Sequence, residues 1–181
     1  MDEDIWHQSI FNRKLIVKRD WFADVFGLIP YVLPLLISGL FLFSKNGSIV
    51  SFAFFFLFSC TVFQGIYSLH QENNLSEIQT EYSAAHNKQA LLFAIDHLNW
   101  SLLMNEDTTV TAVIDNRLGF INQNLIALIT DQAIYFNIKH EGTSKGRVPF
   151  FFGLNEKRGI QLVQAIEQYN FDQNNGLLQR P

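Results

Sequence analysis

Two long apolar runs lie in the first part of the chain, separated by a short polar break. The runs cover residues 25–43 and 49–69, and neither contains Lys, Arg, Asp or Glu. The length of each run is close to that of a helix that crosses the hydrocarbon layer of a bilayer, which is about 20 residues. The break contains Lys45 and an Asn-Gly turn dipeptide, both unfavourable inside a membrane-spanning helix. The pattern predicts a membrane α-helical hairpin with two transmembrane helices, at about 24–43 and 49–69.

A pair of buried helices in a soluble core is the alternative explanation of these runs. It is disfavoured, because the rest of the chain has too little apolar surface to wrap both helices. Four basic residues precede the first run, the break contains one, and the next is Lys88. Since basic flanks stay in the cytoplasm, both termini are predicted to be cytoplasmic, with the hairpin in the plasma (inner) membrane. A cleaved signal peptide is not expected, because the first run is long and a second follows at once.

After the second run, the spacing of apolar positions first predicts helices. Residues 75–85 have helical spacing, and Asn74 and Glu77 at their start resemble a capping box. Residues 88–99 have the same spacing. The two stretches form either one helix that continues out of the membrane or two helices with a break near 86–87.

From Trp100 onward the apolar positions change from helical spacing to the short runs that are typical of strands. Strands are predicted over residues 100–105, 109–115, 124–131 and 133–139. A polar loop follows, and residues 148–153 form either an edge strand or an extended lead-in to a last helix that begins at Asn155. The order of helix, strands and helix predicts a small α+β domain, in which an antiparallel sheet of three to five strands is packed by helices.

The predicted organisation has four parts: an N-terminal interfacial segment, the transmembrane hairpin, a cytoplasmic α+β domain and a flexible tail. They cover residues 1–20, 21–70, 71–171 and 172–181. The N-terminal part allows two interpretations, since residues 9–18 suit a helix at the membrane interface or a strand added to the sheet edge. The interfacial helix is the one favoured here.

Net charge and cysteine content exclude some classes of function. The chain has a formal net charge of −4, which does not fit a nucleic-acid-binding protein. Its single cysteine, Cys60, lies in the second run, so neither an internal disulfide nor a cysteine-based metal site can form. This suits a cytoplasmic domain. Cys60 is interpreted as a small packing residue, with lipidation as the alternative.

The sequence contains no recognisable catalytic motif. Nucleophile-elbow, P-loop and dinucleotide-binding glycine patterns are absent. The five histidines are scattered without metal-ligand spacing, and the adjacent Asp96 and His97 point apart on a helix. We therefore expect no metal site, no cofactor and no enzyme activity.

The start of the last predicted helix gives the clearest binding signal. Asn155 suits its N-cap, while Lys157 and Arg158 lie in the first turn, where cations oppose the helix dipole. Together with Lys145 and Arg147 these residues are predicted to form an anion-binding or partner-binding site. A face with Lys157 and Arg158 solvated is the ordinary alternative. If the cluster faces the membrane, it contacts anionic headgroups.

Two polar residues lie within the predicted hairpin. In a hairpin centred on the break, Asp24 and Gln64 lie about one helical turn apart in depth. Polar groups inside a membrane need partners, so they bond either within the hairpin or between copies in an oligomer. A plain anchor without such bonds is the alternative.

The hairpin and two later segments carry a resemblance to a known group of proteins. The segments are ITDQAIYFNI, at 129–138, and VPFFFGLNEKRGIQLVQAIEQY, at 148–169. With the hairpin, they resemble small bacterial two-span membrane proteins with a C-terminal PH-like or YcxB-like α+β domain, mostly without an assigned function. The resemblance implies no enzyme activity. The chain departs from that pattern in its helical residues 75–99 and in a strand count that is low for a PH barrel.

Three functions fit these expectations and are given in order of preference. The first is a membrane-anchored, non-enzymatic interaction module whose cytoplasmic α+β domain binds a protein partner or anionic headgroups. The second is an oligomeric two-span membrane effector or small channel subunit whose soluble domain senses a signal. The third is an enzyme at the membrane, which requires a cleft of titratable groups. The expected partners are the lipid bilayer and either another protein or further copies of the chain, and not nucleic acid.

Overall fold

The computed structural model of the chain describes residues 3–17, 21–44, 48–115, 122–140 and 154–177. Within its helices, the side chains of residues 21–28, 30, 31, 68 and 69 lie outside this description. The elements are α1 (Glu3–Phe11), α2 (Trp21–Phe43), α3 (Ile49–Gln71), β1 (Ser76–Gln79), α4 (Ala84–His97), β2 (Ser101–Asn105), β3 (Thr109–Ile114), β4 (Gln123–Thr130), β5 (Ala133–His140) and α5 (Leu154–Asn174). They fall into two compact units, one with α2 and α3 and the other with the remaining elements.

The helical unit consists of α2 and α3 in contact with each other. The ring of Phe55 lies against Gly39, where an added Cβ would stand 3.4 Å from it. Among the described residues, one helical stretch, Ile49–Tyr67, is long and apolar enough to cross a membrane. A shorter apolar stretch covers Val32–Phe43 of α2. Both membrane spans therefore stay predictions.

The other unit is built on a five-stranded antiparallel sheet, which confirms the predicted α+β class. The strand order is β1-β5-β4-β3-β2. Strands β2 to β5 follow one another as a meander, and α4 connects β1 at one edge with β2 at the other. The predicted turn between β4 and β5 is confirmed, since Thr130 pairs with Ala133 and Gln132 takes a positive φ of 68°.

Residues 76–79 form a strand, so the helix predicted over 75–85 is wrong in this segment. Glu77 pairs with Tyr135 of β5, and Ile78 packs against the hydrophobic core. The next helix, α4, begins only at Ala84, whose amide donates to Asp131 Oδ1 at 2.8 Å. A local capping signal at Asn74 and Glu77 is overridden here because pairing with β5 satisfies the backbone and buries Ile78.

Helices α4 and α5 cover one face of the sheet and enclose the main core. Core side chains alternate along β3, where they are Val110, Ala112 and Ile114. The others on the sheet are Leu125, Ala127 and Ile129 of β4 and Ile134, Phe136 and Ile138 of β5. The helices contribute Ala90, Leu91, Ala94, Ile95, Leu162, Ala165 and Ile166.

One buried polar side chain fastens α4 to the turn between β4 and β5. The Asn87 amide donates to the Thr130 carbonyl at 3.0 Å and the Tyr82 carbonyl at 3.4 Å. Its Oδ1 accepts from the Thr80 hydroxyl at 2.9 Å. Because a buried amide is costly without partners, these bonds make Asn87 a specific connection between helix and sheet.

Residues 3–17 cover part of the opposite sheet face. The Trp6 indole donates to the Thr108 carbonyl at 3.3 Å, just before β3, while Arg13 pairs with Glu77 on the far strand β1. Leu128 lies on this face in the same row of the sheet and has no exposed surface. The N-terminal segment thus belongs to the α+β unit, and it meets the edge through a single bridge, Lys14 with Asn74.

Helix α5 extends beyond the predicted helix at both ends. It begins at Leu154, so the N-cap predicted at Asn155 is wrong, because that side chain accepts a hydrogen bond from Gln123 instead. It continues to Asn174, three residues into the predicted flexible tail. A hydrogen bond from Gln168 to Asp172 supports this extra turn.

Candidate functional site

The predicted basic cluster is described in part. Lys145 and Arg147 lie outside the described residues, so their place in the cluster stays a prediction. Lys157 is exposed in the first turn of α5, and the Arg158 guanidinium donates to Gln161 Oε1 at 2.9 Å along the helix. Successive helical residues are about 100° apart, so the two cations point in different directions. Lys157 and Arg158 therefore do not by themselves form a converged anion site.

Asn155 belongs instead to a buried polar cluster at the end of the sheet. Its Oδ1 accepts a hydrogen bond from the Gln123 amide. Gln123 pairs with His140 across β4 and β5, and both are buried on the face covered by α5. Burial lowers the pKa of His140, so its imidazole is neutral at neutral pH. The cluster fixes the first turn of α5 against the sheet. In the sequence it could have been recognised from Gln123 and His140, two polar residues at core-facing strand positions.

A second polar network joins the N-terminal segment to the sheet. Arg13 Nη2 lies 2.9 Å from Glu77 Oε2, and the Tyr135 hydroxyl donates to Glu77 Oε1 at 3.2 Å. Burial and the hydrogen bond with Glu77 raise the pKa of Tyr135, so the phenol stays protonated. Residues 3–17 are therefore held to β1 and β5 by a charged hydrogen-bond network as well as by packing.

The outer edge strand β2 exposes three consecutive large apolar side chains. They are Leu102, Leu103 and Met104. Leu103 is 64% exposed and lies at a bulge, where the pairing with β3 shifts between Leu102 and Met104. Exposed apolar edge strands are unusual in monomeric proteins and are places where an extended segment of another chain can add to the sheet.

The sequence predicted this strand but did not show that it exposes apolar side chains at the edge of the sheet. The segment was predicted as a strand from its composition, but its edge position depends on the strand order of the folded sheet. The signal that was present is the lack of alternation in Leu102, Leu103 and Met104, which a strand covered on one face would not show.

The outer sides of α4 and α5 are joined by an aromatic cluster. The His86 ring stacks on Tyr82 with centroids 4.0 Å apart, and His86 Nε2 lies 2.9 Å from Asn170 Oδ1. Tyr169 contacts both His86 and Phe93. These contacts explain the positions of His86 and Tyr169 through packing of the two helices.

Gln64 is half-buried in α3, next to the buried Gly65. The side chain of Asp24 lies outside the described residues, so its pairing with Gln64 stays a prediction. Within the described ranges, no group of three or more His, Cys, Asp or Glu side chains is arranged to hold a metal ion.

No protein-family model matches the chain, and no curated protein matches it. The resemblance to small bacterial two-span membrane proteins with a PH-like or YcxB-like domain therefore stays a prediction.

Proposed function

We propose that this protein is a non-enzymatic interaction module anchored in a membrane by two helices. The observation that carries the proposal is the surface of α3. Only 6% of its apolar stretch, Ile49–Tyr67, is buried, and Phe52, Phe56 and Phe63 are exposed. A core helix of a soluble protein buries such side chains, and an exposed apolar helix of this length is stable in a lipid bilayer.

The proposal of a second span is based on α2. Helix α2 has the same 23-residue length as α3, and residues 25–43 carry no charge. The break between the helices contains Lys45, which favours placing the turn outside the hydrocarbon layer. The basic residues before α2 favour cytoplasmic termini, with the α+β domain in the cytoplasm. The membrane proposed for the hairpin is the plasma (inner) membrane.

The surface proposed for a protein partner is the β2 edge. Leu102, Leu103 and Met104 supply apolar contacts, and the outer backbone groups of an edge strand supply hydrogen bonds to an extended segment. Lys157 and Arg158, with Lys145 and Arg147, are the second candidate for partner or headgroup binding.

The experiment that tests this function is purification of the tagged full-length protein from its native membrane in mild detergent, with native mass and co-eluting proteins measured. We expect a stoichiometric partner that is lost in the Leu103→Asp variant. Ile160→Asp is the matched control, because Ile160 is also a large exposed apolar residue but lies on α5. A partner retained by Leu103→Asp and lost in Lys157→Glu would move the binding surface to the basic cluster. A partner-free monomer would refute the proposal.

Gln64 favours a second candidate function, an oligomeric membrane effector or small channel subunit. A half-buried amide within an apolar helix gains most from a partner on a neighbouring helix, which another copy of the chain can supply. In this case the purified protein is a defined homo-oligomer without other proteins.

A further inference from the structure

The turn that ends α1 exposes an aromatic side chain next to two cations. The Lys14 amide donates to the Ser9 carbonyl and the Arg13 amide to the Ile10 carbonyl, both characteristic of a Schellman motif. Phe11 immediately precedes this turn and is 88% exposed. Single exposed apolar side chains are common in proteins, whereas a group of them beside cations indicates a binding surface.

Arg13 occupies a backbone position that normally favours glycine. Its φ is 48°, in the left-handed region, which costs free energy for a residue with a side chain. Its side chain remains 69% exposed although it pairs with Glu77, whose own side chain is mostly buried. A cation thus occupies a strained backbone position and is exposed two residues after Phe11.

Two further apolar residues follow this turn in the chain. Ile16 and Val17 are both exposed, whereas Leu15 between Lys14 and Ile16 is buried. We call Phe11, Arg13, Lys14, Ile16 and Val17 the N-terminal turn. Aromatic and aliphatic side chains mixed with Lys and Arg are the composition of surfaces that contact anionic lipid.

A short stretch of chain connects the N-terminal turn to the proposed anchor. The Leu15 amide donates to the Asn73 carbonyl at 2.8 Å, and Lys14 bridges Asn74. The segment before α2 and the segment after α3 are therefore bonded to each other. From Val17 to the start of α2 at Trp21 the backbone spans at most about 14 Å, even when fully extended.

We propose that the N-terminal turn binds the anionic surface of the bilayer, with Phe11 inserted at the level of the headgroups and Arg13 and Lys14 beside lipid phosphates. The inference rests on the proposed membrane anchor. It differs from the interfacial helix predicted for residues 9–18, because α1 ends at the exposed Phe11 and Lys14 bridges Asn74.

The test is depth-dependent fluorescence quenching on the full-length protein in vesicles. The single native cysteine is removed by Cys60→Ser, and a bimane probe is attached at Phe11→Cys. Leu57→Cys on α3 is the membrane control, and Phe171→Cys, an exposed aromatic position on α5, is the solvent control. Vesicles contain brominated lipids, with either phosphatidylglycerol and phosphatidylcholine or phosphatidylcholine alone.

We expect quenching at position 11 to reach at least about half of that at position 57 in anionic vesicles, since interfacial groups lie only about 5–10 Å deep. Position 171 should stay unquenched. Quenching at 57 without quenching at 11, or equal quenching at 11 and 171, would overturn the inference while leaving the anchor intact. Equal quenching at 11 in the two lipid mixtures would overturn the recognition of anionic lipid. Absence of quenching at position 57 would refute the membrane anchor itself.

Discussion

Replacing Asn87 by alanine tests how α4 is fastened to the sheet. The side chain is 1% exposed and makes hydrogen bonds to Thr80, Tyr82 and Thr130. A buried hydrogen bond contributes about 1 kcal/mol, and the groups left behind lose their partners. Alanine regains about 0.5 kcal/mol in helix propensity. We therefore expect Asn87→Ala to lower the free energy of unfolding by about 3 kcal/mol.

The assay is pulse proteolysis of the full-length protein in detergent across a urea series, with the fragment from the α+β unit quantified. With a slope of about 2 kcal/mol per molar urea, the midpoint should fall by about 1.5 M. Gln89→Ala is the matched control, because Gln89 is exposed on the same helix, and it should leave the midpoint nearly unchanged. A loss below about 1 kcal/mol for Asn87→Ala would refute the reasoning.

Three further predictions concern other parts of the molecule. Because burial lowers the pKa of His140, the unfolded chain binds a proton at this residue before the folded chain does. The free energy of unfolding should therefore fall as the pH drops below about 6.5. The His140→Gln variant should show a smaller difference in the free energy of unfolding between pH 7.5 and pH 5.5. Leu128→Ala should lower the free energy of unfolding by about 2–5 kcal/mol, because residues 3–17 bury Leu128. Leu103→Ala should leave it almost unchanged, because Leu103 is exposed. Equal urea midpoints for the two variants would contradict this prediction. If the protein is a membrane effector, its overexpression should slow growth and Gln64→Leu should restore it; unchanged growth on overexpression argues against that function.

The α+β class could be predicted because β3 and β5 alternate in a way that the local sequence records. Val110, Ala112 and Ile114 face the core as their spacing requires, and the turn at Asp131 follows its polar composition. Strand β1 could not be predicted in the same way. Asn74 and Glu77 carry a helical capping signal, but pairing with β5 decides the conformation of Ser76–Gln79.

The candidate surfaces depend still more on the folded structure. Asn155, Lys157 and Arg158 were recognised from the sequence, but Asn155 turned out to bond to Gln123, a residue 32 positions away. The exposure of Leu103 follows from the position of β2 at the edge, and that of Phe11 from the packing of α1 on the sheet. Such facts arise from contacts between distant segments, which local patterns do not record.

The number of membrane spans decides the central claim most directly. It can be measured with topology reporters, using green fluorescent protein or alkaline phosphatase fused at the N-terminus, within the break after Lys45, or at the C-terminus. The account predicts fluorescence at both termini and phosphatase activity only for the fusion in the break, because two spans return the chain to the cytoplasm. Phosphatase activity at one terminus and fluorescence at the other would show a single span, and recovery of the protein in the soluble fraction would show no anchor; either result would contradict the account.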